Sequence, residues 1–230
     1  MGIEGKHVVV TGSTGGLGGA VVSEFLRLGA HCHLPVRTGG PTPTDSAPSD
    51  RVHVASGIDL TDDDMVRDYF AQLPELWASI HLVGGYAMAA VADTSAADLR
   101  RMFALNVETA FLTSREAIRC MQRSSGGGRI VNIAARPAVR PATGMVAYAT
   151  AKAAVASLTE CLAEEMRSQS ILINAVLPSI IDTPANRSAM PDADFDTWPK
   201  PEQIAKVIAF LASPDNELAT GLLVPLYGRA

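Results

Sequence analysis

Short runs of consecutive apolar, often β-branched residues recur along this chain, separated by longer stretches with helical spacing. The apolar runs fall at 7–10, 30–36, 52–58, 79–83, 130–133, 171–177 and 222–226. Continuous apolar character, without alternation, is the pattern of strands buried on both faces. Helical patterns cover 21–28 with Gly29 as a stop, the residues after a Thr61 cap over Asp62, Asp63 and Asp64, and 98–121. Two more run from about 143 to 166 and over 202–211. Strand and helix in regular alternation predict an α/β domain, a doubly wound parallel sheet of about seven strands flanked by helices. Two stretches break the rhythm. Residues 38–50 hold Gly39, Gly40, Pro41, Pro43 and Pro48, a composition that forbids a helix and predicts an irregular, mobile crossover. Residues 184–199 are polar with scattered large side chains, Phe195 and Trp198 among them. A lid over a ligand and a surface insertion both suit that pattern.

Composition narrows the classes. A chain of 230 residues with 47% apolar content can bury one large core, so a single domain spanning 1–230 is expected. Net charge is −5 with no basic run, which argues against nucleic acid and anionic membrane partners. No apolar run is long enough to span a bilayer, and the N-terminus leads straight into a strand without a signal-peptide pattern. Cys32, Cys120 and Cys161 have neither metal nor redox spacing. Buried thiols in a reducing cytoplasm, and no metal, are the expectation.

Candidate chemistry sits at the strand ends. The first strand runs into Thr11-Gly12-Ser13-Thr14-Gly15-Gly16-Leu17-Gly18 and then a helix. In that context the glycines let main-chain N–H groups approach a pyrophosphate at the positive end of the helix. Arg37 follows the second strand, where an acid would select the unphosphorylated dinucleotide; a guanidinium suits a 2′-phosphate. NADP(H), with NADPH favoured over NADH, is therefore the expected cofactor. Asn106 stands inside an apolar helix, a poor position for asparagine unless it makes a hydrogen bond. Tyr148 and Lys152 are four apart on one helix, so a cation lies one turn from a phenol. That cation is expected to draw the phenol toward working pH for proton exchange.

In this order and spacing, the chain resembles the short-chain dehydrogenase/reductase family over nearly its whole length. The matches are the Thr11–Gly18 turn, Asp59-Leu60, Asn106, Tyr148 with Lys152, Asn174 to Pro178, Thr183-Pro184 and Thr220-Gly221. The resemblance implies a Rossmann fold and an NAD(P)-dependent oxidoreductase. It implies Tyr148 as proton donor, Lys152 as ribose contact and pKa modulator, Asn106 as holder of a relay water and Thr183 as nicotinamide contact. Gly12, Ser13, Thr14, Gly16, Leu17, Gly18, Arg37, Asp59, Leu60, Gly84, Gly85, Pro178 and Ile181 would complete the cofactor site. It also implies a homodimer or homotetramer built on the helices at 98–121 and 149–166.

Departures from the family pattern carry information. Ala135 occupies the position of the usual serine thirteen residues before the tyrosine, Gly84-Gly85-Tyr86-Ala87 replaces Asn-Asn-Ala-Gly, and Ser179 follows Pro178. Loss of one donor aimed at a developing oxyanion costs about 10²–10³ in turnover. The missing serine, the Gly-Gly-aromatic run and the helix-less crossover resemble the dihydropteridine reductase branch, although Arg37 does not. Ala135, Tyr86, Arg136, Arg140 and Trp198 are candidates for the substrate pocket, with the two arginines equally readable as exposed surface charge. Three functions stay open: reduction of an activated C=O or C=N in a small cyclic substrate, ordinary ketone or alcohol chemistry with another donor, and a catalytically impaired sensor or assembly partner.

Overall fold

In the computed structural model, residues 2–38, 50–124 and 126–229 are described. The irregular crossover expected at 38–50 lies, for 39–49, outside the described residues. The seven predicted strands are present as β1 (His7–Thr11), β2 (His31–Val36), β3 (Val52–Ser56), β4 (Leu76–His81), β5 (Gly128–Ile133), β6 (Ile171–Pro178) and β7 (Leu223–Leu226). All neighbours pair in parallel, in the order β3-β2-β1-β4-β5-β6-β7. This is the doubly wound Rossmann arrangement, and its order reverses between β1 and β4.

The helices are α1 (Gly18–Arg27), α2 (Asp63–Ala71), α3 (Ala96–Phe103), α4 (Thr109–Gln122), α5 (Val146–Met166), α6 (Pro184–Ala189) and α7 (Pro201–Leu211). Pleating sorts the strand residues between two layers. Val8, Val10, Leu34, Ile80 and Val176 pack against Val21, Val22 and Phe25 of α1 and Ile204 and Ile208 of α7. Val9, Ile130 and Ile173 face Phe70 of α2, Ile118 and Met121 of α4 and Met166 of α5. Each fully buried Ile, Leu or Phe contributes about 1.5–3 kcal/mol by leaving water.

Four expectations need correction. The fourth strand spans Leu76–His81 rather than 79–83. Leu82 turns out of the ladder and donates its N–H to Thr11 Oγ1 at 3.2 Å instead. Asp62, not Thr61, caps α2 by accepting from Met65 N at 3.0 Å; Thr61 is occupied by Asp59, to which it donates through N and Oγ1. The single helix expected at 98–121 begins earlier, in a Ser95–Asp98 capping box, and is split by a widened π turn over Ala104–Glu108. Cys161 is exposed, whereas Cys32 and Cys120 are buried.

Four of the five histidines meet on β1, β2 and β3. His7, His31, His33 and His53 stack with ring centroids 4.6–5.8 Å apart, and His7 Nδ1 lies 2.9 Å from His33 Nε2. The fifth, His81, closes β4 and is 3% exposed. Among the described residues, no helix is long and apolar enough to cross a membrane.

Candidate active site

The sheet delivers its chemistry to one edge. Gly12, Arg37, Asp59, Gly84, Ala135 and Ser179 each follow the C-terminal end of a strand, the edge where open α/β sheets bind ligands. The β1 turn is shaped by contacts that allow no side chain. At Gly12, with φ of +67°, an added Cβ would stand 2.9 Å from Val83 N. At Gly18 it would stand 2.3 Å from Ser13 O. The turn therefore presses against the chain leaving β4, and α1 starts without a side-chain cap. Gly18 N donates to Gly15 O at 3.0 Å, and the N–H groups of Gly19 and Ala20 that follow are left for an anion. Ser13 Oγ, buried here, has no hydrogen-bond partner. A glycine cradle, an uncapped helix start and an orphaned hydroxyl fit a dinucleotide pyrophosphate. Thr14 and Gly16 form the exposed lip, and Leu17 is buried beneath it.

Gly16 reaches the far side of the crevice, since a Cβ there would meet Thr183 Cγ2 at 2.9 Å. Thr183 caps α6 by accepting from Asn186 N, and Asn186 Nδ2 donates to Ile181 O at 2.8 Å. Asn186 thus holds the loop after Pro178. On the adenine side, Asp59 is held below the usual carboxylate range, first by the Thr61 N–H and then by its hydroxyl, with Arg37 adding a favourable charge. Arg37 is exposed, and Leu60 is buried in the layer with Val66 and Phe70.

Asn106 lies in the π turn and is 1% exposed. Its Nδ2 donates to Met102 O at 2.9 Å and Gly85 O at 3.1 Å, and its Oδ1 accepts from Gly85 N at 3.2 Å. The hydrogen bond that its sequence position demanded is present, as a clamp on Gly85. Both amide hydrogens are spent on carbonyls, so only Oδ1 of the side chain remains to engage a relay water. Gly84 is equally constrained: a Cβ would come within 2.6 Å of Asn106 Oδ1 and 3.2 Å of Lys152 Nζ.

Lys152 is 5% exposed and donates from Nζ to Ile133 O at 2.7 Å. Burial pushes its ammonium down to about 8. Tyr148 stands one turn earlier on α5. Its ring meets that of Tyr86 edge-on, with centroids 5.0 Å apart. The expected lowering of the Tyr148 pKa is not found. Burial, and then Tyr86, push the phenol up to about 12.

The remaining pocket candidates divide. Ala135 is buried at 6% exposure and opens the short turn Arg136–Ala138. Tyr86 is exposed beside Tyr148. Arg136 and Arg140 both stack over Tyr227, at 5.2 and 5.9 Å from its centroid. Tyr227 was not singled out from sequence, where it is one aromatic in a C-terminal tail. Trp198 is 6% exposed and packs on Phe195, so the structure places it in the packing of its own segment. Residues 184–199 carry α6 and are tied to their flanks: Arg187 pairs with Asp182, Asp182 N donates to Pro199 O and Arg229 N donates to Thr197 O. Two surface cavities of about 330 and 280 Å³ lie at the opposite end of the sheet, near Gln169 and Glu4, and hold none of these residues.

A Rossmann sheet with a glycine turn, a clamped asparagine and a Tyr-x3-Lys helix defines a short-chain dehydrogenase. The short chain dehydrogenase family matches residues 6–194, and the chain belongs to that family of NAD(P)-dependent oxidoreductases. Among its relatives is the cyclic-di-GMP-binding biofilm dispersal mediator protein of Escherichia coli K12, 29% identical over 97% of this chain and 96% of that one. The 7alpha-hydroxysteroid dehydrogenase of Clostridium sardiniense is 28% identical over 98% and 93%. The solved structure of ElxO with NADP bound shares the fold, with a TM-score of 0.88 and 24% identity over 97% of this chain and 98% of that one.

Proposed function

We propose that this oxidoreductase uses NADPH to reduce an activated C=O or C=N in a small, conjugated, cyclic substrate. The observation that carries the reading is Ala135 beside a complete Asn106, Tyr148 and Lys152 set. NADPH held by the Gly12–Gly18 turn, Arg37, Asp59 and Thr183 would supply the hydride. Arg37 suits a 2′-phosphate, and ElxO, of like fold, was solved with NADP.

The protein's own residues do the rest. A phenol pushed up to about 12 stays protonated at neutral pH, so Tyr148 acts as donor and favours reduction. Lys152, charged below about pH 8, stabilises the phenolate left after transfer. Asn106 clamps Gly85 and so fixes the turn after β4 beside Lys152. With a methyl at Ala135, no hydroxyl there meets a localised alkoxide, and a substrate that spreads its charge needs none. The resemblance to the dihydropteridine reductase branch points the same way. Exposed Phe111 on α4 and Val146 on α5 suit the proposed homodimer or homotetramer, which light scattering would test.

Steady-state rates on a ketone panel and an imine or quinonoid panel test the reading. Tyr148→Phe should cut turnover sharply on ketones and less on a protonated iminium. Ala135→Ser should gain little on ketones; a rescue of about 10²-fold, the scale of one oxyanion donor, would overturn the proposal. Ala135 and the Escherichia coli relative also favour a second reading, a nucleotide-binding sensor with impaired catalysis. Tight NADPH binding without turnover on either panel would select it.

A further inference from the structure

We propose that His81 is a positioning residue, the hub of a buried polar network that sets the Ile133 carbonyl against Lys152. His81 Nδ1 lies 2.8 Å from Asn132 Oδ1, and His81 Nε2 lies 2.8 Å from Ser79 Oγ. Ser114 Oγ approaches the same Nδ1 at 3.3 Å. Asn132 Nδ2 donates to Thr159 Oγ1 at 3.0 Å, and Thr159 Oγ1 donates to Val155 O at 2.8 Å. All five side chains are buried: Ser79, Ser114, Asn132 and Thr159 at 0% exposure and His81 at 3%.

The pattern of donors fixes the imidazole. The Thr159 hydrogen is spent on Val155 O, so Thr159 must accept from Asn132, and Asn132 Oδ1 must face His81. His81 therefore carries its proton on Nδ1 and accepts from Ser79 on Nε2. One neutral tautomer satisfies both ring nitrogens. Burial pushes His81 down to about 4, which keeps it neutral.

The network touches four elements around Lys152, namely β4, β5, α4 and α5. Asn132 directly precedes Ile133, whose carbonyl accepts from Lys152 Nζ. His81 is three residues before Gly84, where a Cβ would crowd Lys152 Nζ. Ser114 lies on α4, just beyond the π turn with Asn106. Thr159 is seven residues after Lys152 on α5, about two helical turns, so the two share one stripe. The Asn132–Thr159 bond thus sets both the roll of α5 and its height on β5. Among the described residues, the Ile133 carbonyl is the hydrogen-bond acceptor of Lys152 Nζ. A carbonyl bonded to a buried ammonium favours its charged form, so displacing it lowers the pH at which Lys152 loses its proton.

Competitive acetic anhydride labelling of the intact protein, with the Lys152 peptide quantified by mass spectrometry across pH 6–10, reads that midpoint directly. It requires neither substrate nor cofactor, so it stands apart from the fate of the proposed reaction. Removal of the hub in His81→Leu should move the Lys152 midpoint down by about half a pH unit or more, about threefold in the proton equilibrium. His81→Asn, which can keep a donor toward Asn132, should restore it to near the wild-type value. Thr159→Val cuts the far end of the network without touching β4 and should shift it in the same direction. A role confined to folding would lower the melting temperature and leave the midpoint in place; that result in His81→Leu overturns the proposal. If His81→Leu does not fold, Thr159→Val decides: a downward shift supports the proposal, and an unchanged midpoint overturns it.

Discussion

Two regions of the sheet bury histidine in opposite ways. On the β1–β2–β3 side, His7, His31, His33 and His53 stack on one another, and His31 Nδ1 is buried without a partner. On the β4–β5 side, His81 stands alone with both ring nitrogens bonded. His33 and His81 are both pushed down to about 4. The causes differ. His81 is governed by burial and is opposed by its bond to Asn132. His33 is governed by burial together with repulsion from His53, His7 and His31. Equal acidity therefore hides one locked group and one that depends on its neighbours. The locked histidine serves the edge that does the chemistry, and the crowded ones underlie the strands that lead to Arg37 and Asp59.

Acid should produce the largest effect, because it acts on both regions. A histidine whose midpoint is lowered on folding binds fewer protons when native. Its stabilising contribution is full above about pH 6.5 and is lost as pH falls toward about 4. For His81 alone the change from 6.5 to about 4 corresponds to about 3 kcal/mol. Urea unfolding at pH 7.0, 6.0, 5.0 and 4.5 should give a steadily falling midpoint; a flat profile would break the comparison.

Single substitutions should then separate the regions. His81→Leu strands Asn132 Oδ1 and Ser79 Oγ in the core, costing about 2 kcal/mol or more at pH 7. His33→Leu gives up the hydrogen bond to His7 and the ring contacts with His7 and His53, and should cost under about 1 kcal/mol at pH 7, while flattening the acid limb. Equal losses for both variants in urea at pH 7 would erase the distinction.

The last expected effect leaves stability aside and concerns the ligand of the crowded side. Arg37→Asp should exchange a preference for NADPH over NADH of about tenfold, near 1.4 kcal/mol, for none or the reverse. Fluorescence titration of both cofactors measures it, and equal affinities in the wild type would defeat the role given to Arg37.

Local pattern was enough for much of this protein. The apolar runs and the glycine turn after the first of them specified the strand count, the parallel sheet and the cradle, because those properties depend on side-chain period and on main-chain space within a few residues. The spacing of Tyr148 and Lys152 likewise placed them one turn apart. The direction of the Lys152 amine was decided only by the tertiary structure, since its partner is a carbonyl nineteen residues away. The upward push on Tyr148 came from burial and from Tyr86, 62 residues earlier, so no reading of the helix alone could supply it. Trp198, Arg136 and Arg140 looked alike as polar or aromatic residues near the site; packing on Phe195 and Tyr227 separated them from Tyr86. The histidines make the same point. Nothing in the spacing of His7, His31, His33 and His53 announces a cluster, because strands β1, β2 and β3 become neighbours only when the sheet forms.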